Sequence, residues 1–214
     1  MVKTKFYAIL LALTFCLSGA FATVNAQTLS EKEIKKIAKK DAKNYKKEGW
    51  LVNPGALPME QQLIKAYSME NQTNEDGFPK FITGEGRSTA EAYDAAKMQA
   101  NERAKQEIAS KTQTELVSEI KSTVSNEQLT PEEANTVVEV IEASRSVIAQ
   151  SIGRLIPVME AHRNLKNKNV EVLVRVAYNA DNVKKAAKQA IRNEMKKRGN
   201  EMHKNLEKYG YGQN

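Results

Sequence analysis

His162 and His203 are the only two histidines of this chain, and imidazole is the side chain best suited to proton transfer near neutral pH. His162 lies two residues after Glu160, so on a strand both side chains would share one face and could act as a base and its carboxylate. Acid–base catalysis also needs a reacting group within hydrogen-bond reach, and no nucleophile motif accompanies this pair. We therefore interpret His162 as an exposed hairpin histidine and keep a hydrolase built on His162 and Glu160 as the alternative.

A second feature with chemical potential is the run of Gly84, Gly86 and Arg87 before a predicted helix. Unpaired N–H groups and the helix dipole favour an anion at such a position. The run lacks the third glycine of a dinucleotide loop and the Lys-Ser/Thr pair of a P-loop. A tight strand-to-helix turn, for which glycine is the usual residue, is the interpretation we prefer, with Arg87 kept as a candidate anion contact.

Lysine-rich helices are the strongest functional signal. One predicted helix near the C-terminus carries five basic side chains within about 120° of arc, and their charges add on one side. These candidate contacts for anions or partner proteins are Lys184, Lys185, Lys188, Arg192 and Lys196. A solvated face that keeps a basic protein soluble is the plain alternative. A predicted helix near the N-terminus has a second such face, formed by Lys35, Lys36, Lys39, Lys40, Lys43, Lys46 and Lys47.

Composition limits the remaining chemistry. The chain has 214 residues, 41% of them hydrophobic and 28% charged, with a formal net charge of +7, values typical of a soluble globular protein. A single cysteine excludes an internal disulfide and a cysteine-rich metal site, and two histidines would need carboxylates to complete a zinc or iron site. We predict neither a cofactor nor a metal.

Residues 1–26 are predicted to be a secretory signal peptide. Lys3 and Lys5 supply the positive start, an apolar run follows, and Ala26 offers a small residue at the cleavage point. Because Phe15 precedes Cys16 where a lipobox requires a small residue, lipid attachment is not expected. Export would place the protein in the periplasm or at the outer-membrane periphery. There its partners would be envelope proteins or anionic polymers and lipids, with peripheral membrane association and without nucleic acid.

The rest of the chain is predicted to hold two regions. Residues 27–78 form a basic helical extension, in which a capping box at Ser30 and Glu33 begins one helix and a second follows from about Pro58. Residues 79–214 form an α+β domain of a mainly antiparallel sheet packed against helices, ending in the basic C-terminal helix. Whether the N-terminal helices pack on this domain is left open by the sequence.

Within the domain, residues 81–85 are predicted to be a short strand ended by the glycines, and Ser88 with Glu91 to cap an alanine-rich helix. Thr130 and Pro131 begin one further helix that ends before Gly153. Unbroken alternation from Val170 to Tyr178 after a turn-like segment predicts a β-hairpin, and Asp181 is expected to cap the last helix.

Residues 112–124 fit two patterns. Leu116, Ile120 and Val124 recur every four residues, as on a helix, but they also share one face with threonines and serines in strict alternation. The content of Thr, Val and Ile favours a strand, and we take that interpretation.

The order of these elements resembles the LPP lipoprotein family, small envelope proteins typified by a twenty-kilodalton outer-membrane lipoprotein. The likeness covers residues 81–181 and rests on Gly84-Glu85-Gly86 before an alanine-rich helix and on Ser151-Ile152-Gly153-Arg154 before the valine-rich hairpin. A secretory chain with Gln27 directly after the cleavage point also resembles periplasmic proteins of the Bacteroidetes group. The resemblance implies an envelope protein with a structural or interaction role and no catalysis.

Together these features predict a non-enzymatic secreted envelope protein that docks on partner proteins or anionic envelope material. A periplasmic hydrolase with an unrecognised site and a small-ligand carrier are the alternatives.

Overall fold

The fold is α+β, as the sequence predicts. The computed structural model describes residues 29–125 and 130–198, so the predicted signal peptide lies outside the described residues. In these ranges the helices are α1 (Glu31–Lys47), α2 (Met59–Glu70), α3 (Tyr93–Ser125), α4 (Pro131–Ala143), α5 (Arg145–Ser151) and α6 (Ala180–Arg198). The strands are β1 (Phe81–Ala90), β2 (Ile156–Asn164) and β3 (Val170–Asn179).

The three strands form one antiparallel sheet in the order β1-β3-β2, so β1 and β2 are its two edges. The predicted hairpin is confirmed as β2 and β3. It turns at residues 165–169, where the Leu165 N–H donates to the Asn169 carbonyl and Lys168 has a positive φ of 67°. The alternation of β3 directs Val172, Val174 and Val176 to one face of the sheet.

Helices cover both faces of this sheet. The valine face packs against the alanines of α3 and against α6, while α4 and α5 pack on these two helices and complete the main hydrophobic core. On the opposite face, Leu173 and Ala177 of β3 contact the apolar sides of α1 and α2 and the buried Trp50. The question left open by the sequence is thereby answered: the N-terminal helices pack on the sheet.

The capping boxes at Ser30 and Thr130 are present, and α1 and α4 begin directly after them. The single helix predicted between Thr130 and Gly153 is two helices, α4 and α5. The helix is interrupted at Ser144, whose hydroxyl donates to the Val140 carbonyl. The last helix begins one residue before Asp181. Its N-cap interaction comes from Asn179, whose Oδ1 accepts the Asn182 N–H at 2.9 Å.

Residues 112–124 belong to α3, so the strand interpretation is wrong. The buried side chains that continue one stripe along α3 are Ala96, Ala100, Ala104, Ile108, Thr112, Leu116 and Ile120. The Thr112 hydroxyl donates to the Ile108 carbonyl, which satisfies it inside the helix. Tertiary packing outweighs β-propensity here, because side chains that recur every four residues are buried in the main core when the segment is helical.

The prediction that β1 ends at the glycines is also wrong, since β1 continues to Ala90 and α3 begins at Tyr93. Gly84 and Gly86 lie in mid-strand beneath α3. A Cβ at Gly86 would lie 1.8 Å from the Ala100 oxygen, and one at Gly84 would lie 2.2 Å from the Ala104 oxygen. Glycine is therefore required for close approach of helix and strand. Ser88 faces α3 and donates to Gln99 Oε1, so the capping box with Glu91 does not form.

Candidate functional site: two basic helices and the outer face of the sheet

The pair that the hydrolase alternative would use as a base and its carboxylate lies on β2, but among the described residues the contacts of Glu160 are with other side chains. Glu160 Oε1 accepts hydrogen bonds from Asn53, Lys97 and the Tyr93 hydroxyl, and its Oε2 lies 2.9 Å from Lys97 Nζ. These contacts raise the pKa of Lys97, chiefly through the hydrogen bond, while burial and the same carboxylate raise the pKa of Tyr93. The carboxylate is thus used to fasten the loop at Asn53 and the start of α3 to the sheet edge.

His162 is half-buried and is not the exposed hairpin residue that was expected. Its ring lies edge-on to Tyr93, with 5.5 Å between the ring centroids, and its buried Nδ1 has no hydrogen-bond partner in the part of the chain that the structure describes. Its backbone pairs with Leu51 in both directions, so the loop after α1 continues the sheet beyond β2. Within the described ranges, the neighbour of the His162 ring is therefore the aromatic ring of Tyr93 and not a carboxylate.

Arg87 is not at a helix N-terminus, because the run that contains it is the middle of β1. Its guanidinium lies 5.2 Å from the Trp50 ring centroid, and Arg163 lies 4.6 Å from the same ring. Glu171 joins the two arginines, at 2.7 Å from Arg163 and 3.9 Å from Arg87. Arg87 therefore helps to hold the loop after α1 on the outer face of the sheet.

A polar cluster on the same face surrounds Arg175 of β3. Its Nε donates to Glu85 at 2.6 Å and its Nη2 to the Tyr45 hydroxyl at 3.2 Å. Burial alone would lower the pKa of Arg175, but Tyr45 and Glu85 outweigh burial and raise it. Burial together with the hydrogen bond to Asp41 raises the pKa of Tyr67 to about 12. An open cleft of about 520 Å³ lies beside this cluster, between α2 and β1.

Four of the five residues predicted as contacts on the C-terminal helix have described side chains. Lys184 lies 3.1 Å from Glu115 and 3.2 Å from Glu119 of α3, and Lys188 lies 3.3 Å from Glu119. Burial acts to lower the pKa of Lys184, but the two carboxylates raise it. Lys185 is exposed and Arg192 is half-buried, while the side chain of Lys196 lies outside the described residues. The stripe is thus partly neutralised by the helix beside it.

The lysine face of α1 differs in both exposure and pairing. Eight lysines fall within about 140° of arc at 3.6 residues per turn, against three acidic residues in the helix, and all eight are exposed. Within the described part of the chain, the ion pair formed by this face is the 3.7 Å contact of Lys35 with the exposed Glu31. The other side of α1 is anchored by the buried Ile34 and Ala38.

Sequence reasoning noted this face but assigned the site to α6. The signal that separates the two is the acidic pair Glu115 and Glu119, which only a helix over residues 112–124 directs toward α6 as neighbours. A strand over the same residues would not bring the two carboxylates together.

Among the helices within residues 29–125 and 130–198, none combines the length and the apolar composition that a membrane-spanning segment requires. The same ranges contain no cluster of three or more His, Cys, Asp or Glu side chains arranged to hold a metal ion.

Comparison of the chain with family models, curated proteins and solved structures found no match. The likeness to the LPP lipoprotein family therefore stays a prediction.

Proposed function

We propose that this chain is an exported, non-enzymatic protein of the bacterial envelope, in the periplasm or at the outer-membrane periphery, that docks on anionic envelope lipid through the lysine face of α1. The predicted signal peptide and the sequence resemblance to the LPP lipoprotein family at residues 84–86 and 151–154 support the compartment. The observation that carries the docking role is the row of eight exposed lysines on α1.

The geometry of α1 suits docking because the side of the helix opposite the lysines is packed on the rest of the protein. Ile34 and Ala38 are buried, and the Tyr67 hydroxyl of α2 donates to Asp41 at 2.7 Å. The lysines therefore project from a fixed backbone, and their charges add without an ordering cost for the helix itself. Each lysine brought near an anionic membrane surface contributes about 1 kcal/mol, so three or four of them give weak, salt-sensitive binding of about 3 to 4 kcal/mol.

The contrast with α6 favours α1 as the docking element. Lys184 and Lys188 already contact Glu119, so recruiting them to an external anion would sacrifice existing ion pairs. The hydrolase alternative is weakened, because it needs Glu160 to orient His162, whereas Glu160 contacts Tyr93 and Lys97.

Vesicle cosedimentation tests the proposal. The purified protein should bind vesicles that contain phosphatidylglycerol more strongly than phosphatidylcholine vesicles. Binding should weaken as the salt concentration rises, because the Debye length shortens to about 3 Å at 1 M. The triple variant Lys36→Glu, Lys39→Glu, Lys43→Glu should lose this binding. Its matched control is Lys121→Glu, Lys166→Glu, Lys185→Glu, three exposed lysines away from α1 with the same change in net charge.

The control separates a docking face from bulk charge. Equal loss in both variants would show that net charge alone governs binding, and a greater loss in the control would move the site away from α1. Either result would defeat the proposal. Export is tested separately by the mass of the mature protein, which should begin at Gln27.

A further inference from the structure

A row of three charged side chains on α3 covers the free edge of β1. Arg103 Nη1 donates to the Arg87 carbonyl at 2.6 Å, the Glu85 N–H donates to Glu107 Oε2 at 2.7 Å, and Lys111 Nζ donates to the Thr83 carbonyl at 2.8 Å. We call Arg103, Glu107 and Lys111 the edge row.

The edge row matches the strand because two periodicities coincide. Four residues of α-helix rise about 6 Å, and two residues of antiparallel strand rise about 6.8 Å. As α3 returns antiparallel to β1, each turn of helix meets the next backbone group that faces outward. The glycines at 84 and 86 bring the helix close enough for these side chains to reach over the edge.

Unpaired strand edges are templates for another strand, and charged side chains are a common protection against such pairing. The other edge of the sheet is closed in a comparable way: Leu51 pairs with the His162 backbone, and the Glu160 N–H donates to Gln62 Oε1. At β1 the protection comes wholly from side chains, which can be removed without deleting any backbone.

We propose that the edge of β1 is a self-association surface for a second copy of this chain, and that the edge row holds it closed. Antiparallel pairing centred on Gly86 would place Glu85 opposite Arg87 of the second copy, once on each side of a two-fold axis. Both residues have edge-facing backbone groups, because Glu85 N–H and Arg87 C=O are the atoms that the edge row now holds. Within the chain Glu85 already contacts Arg175 and Arg87 contacts Glu171, and both side chains remain partly exposed, so a second copy would add one opposite charge beside each of these pairs. This charge complementarity selects a second copy as the occupant.

The test is the variant Arg103→Ala, Glu107→Ala, Lys111→Ala, with its mass measured by light scattering over a wide range of concentrations. The mass should rise toward twice that of the monomer, while the wild type stays monomeric. A matched control, Glu102→Ala, Lys105→Ala, Lys121→Ala, makes the same charge change on other parts of α3 and should stay monomeric. Adding Arg87→Glu to the edge-row variant should restore the monomer, since Glu85 would then face a second carboxylate across the two-fold axis.

Several results would overturn the proposal: a folded edge-row variant that stays monomeric, a control that dimerises equally, or a dimer unaffected by Arg87→Glu. If the triple variant does not fold, the single variant Glu107→Ala carries the same expectation of increased mass. Hydrogen exchange of the wild type gives an independent measurement. The Glu85 amide, which Glu107 holds at the edge, should exchange more slowly than the Arg87 amide, and equal rates would contradict the edge row.

Discussion

Replacing Gly86 by alanine tests the contact on which the packing of α3 depends. The added Cβ would lie 1.8 Å from the Ala100 oxygen, 2.6 Å from the Ala104 nitrogen and 2.8 Å from the Ala100 carbonyl carbon. All three are backbone atoms of a helix, so no side-chain rotation relieves the overlap. Helix α3 must move away from β1, or the strand must bend.

The expected magnitude follows from overpacking. Extra methyl groups in a filled core cost about 1 to 3 kcal/mol, and a backbone collision belongs at the upper end, about 3 kcal/mol. For a chain of this size that loss lowers Tm by about 6 to 12 °C. Backbone propensity has the opposite sign, because alanine in a strand is favoured over glycine by about 0.5 to 1 kcal/mol. The sign of the change therefore distinguishes packing from propensity.

Urea unfolding followed by far-UV circular dichroism, together with calorimetry, measures this change. Gly153→Ala is the matched control, because its Cβ would meet only the Tyr178 hydroxyl, at 3.2 Å, at the end of a side chain. We expect a small change in the control and a large loss at Gly86. An unchanged or raised Tm for Gly86→Ala would refute the close approach of α3 to β1.

Three further predictions concern the contacts around the sheet. Trp50→Ala should lower the free energy of unfolding by about 3 to 5 kcal/mol in urea titrations, because the ring is 2% exposed and packs α1 and α2 onto the sheet. Lys184→Ala should cost less than about 1 kcal/mol in the same assay, since its ion pairs are partly exposed and screened. Because the pKa of Tyr67 is raised in the folded state, its contribution to stability is complete below pH 10 and is lost as pH rises through about 12; Tyr67→Phe should flatten that decline in alkaline unfolding curves.

Local rules predicted most of the secondary structure. The capping boxes at Ser30 and Thr130 and the alternation of β3 are short-range signals, and each contains its own physical cause in hydrogen bonding or in burial of one face. The class of fold follows from them. The cap at Asn179 differs from prediction because a neighbouring residue can supply the same hydrogen bond. The break at Ser144 differs because the Ser144 hydroxyl donates to the Val140 carbonyl while its N–H donates to the Ile141 carbonyl.

The glycines at 84 and 86 show a limit of local reasoning. Glycine ends strands in many proteins, so a sequence cannot distinguish a turn from a close crossing unless the opposing helix is known. Here the opposing helix carries Ala100 and Ala104 at the crossing, and the small side chains on both elements serve one contact. This close crossing could not be predicted from either segment alone, because it depends on small residues in the strand and in the helix facing each other.

The structure of residues 112–124 also bears on which basic helix is available to bind an anion. Glu115 and Glu119 are about 6 Å apart along a helix and would be about 13 Å apart along a strand. Only the helical spacing allows both carboxylates to meet the single ammonium of Lys184, which contacts them at 3.1 and 3.2 Å. A strand over residues 112–124 would leave Lys184 without one of these two carboxylates. Once the segment is helical, α6 lies beside the carboxylates of Glu115 and Glu119, and the exposed lysines of α1 become the better candidate for an external anion.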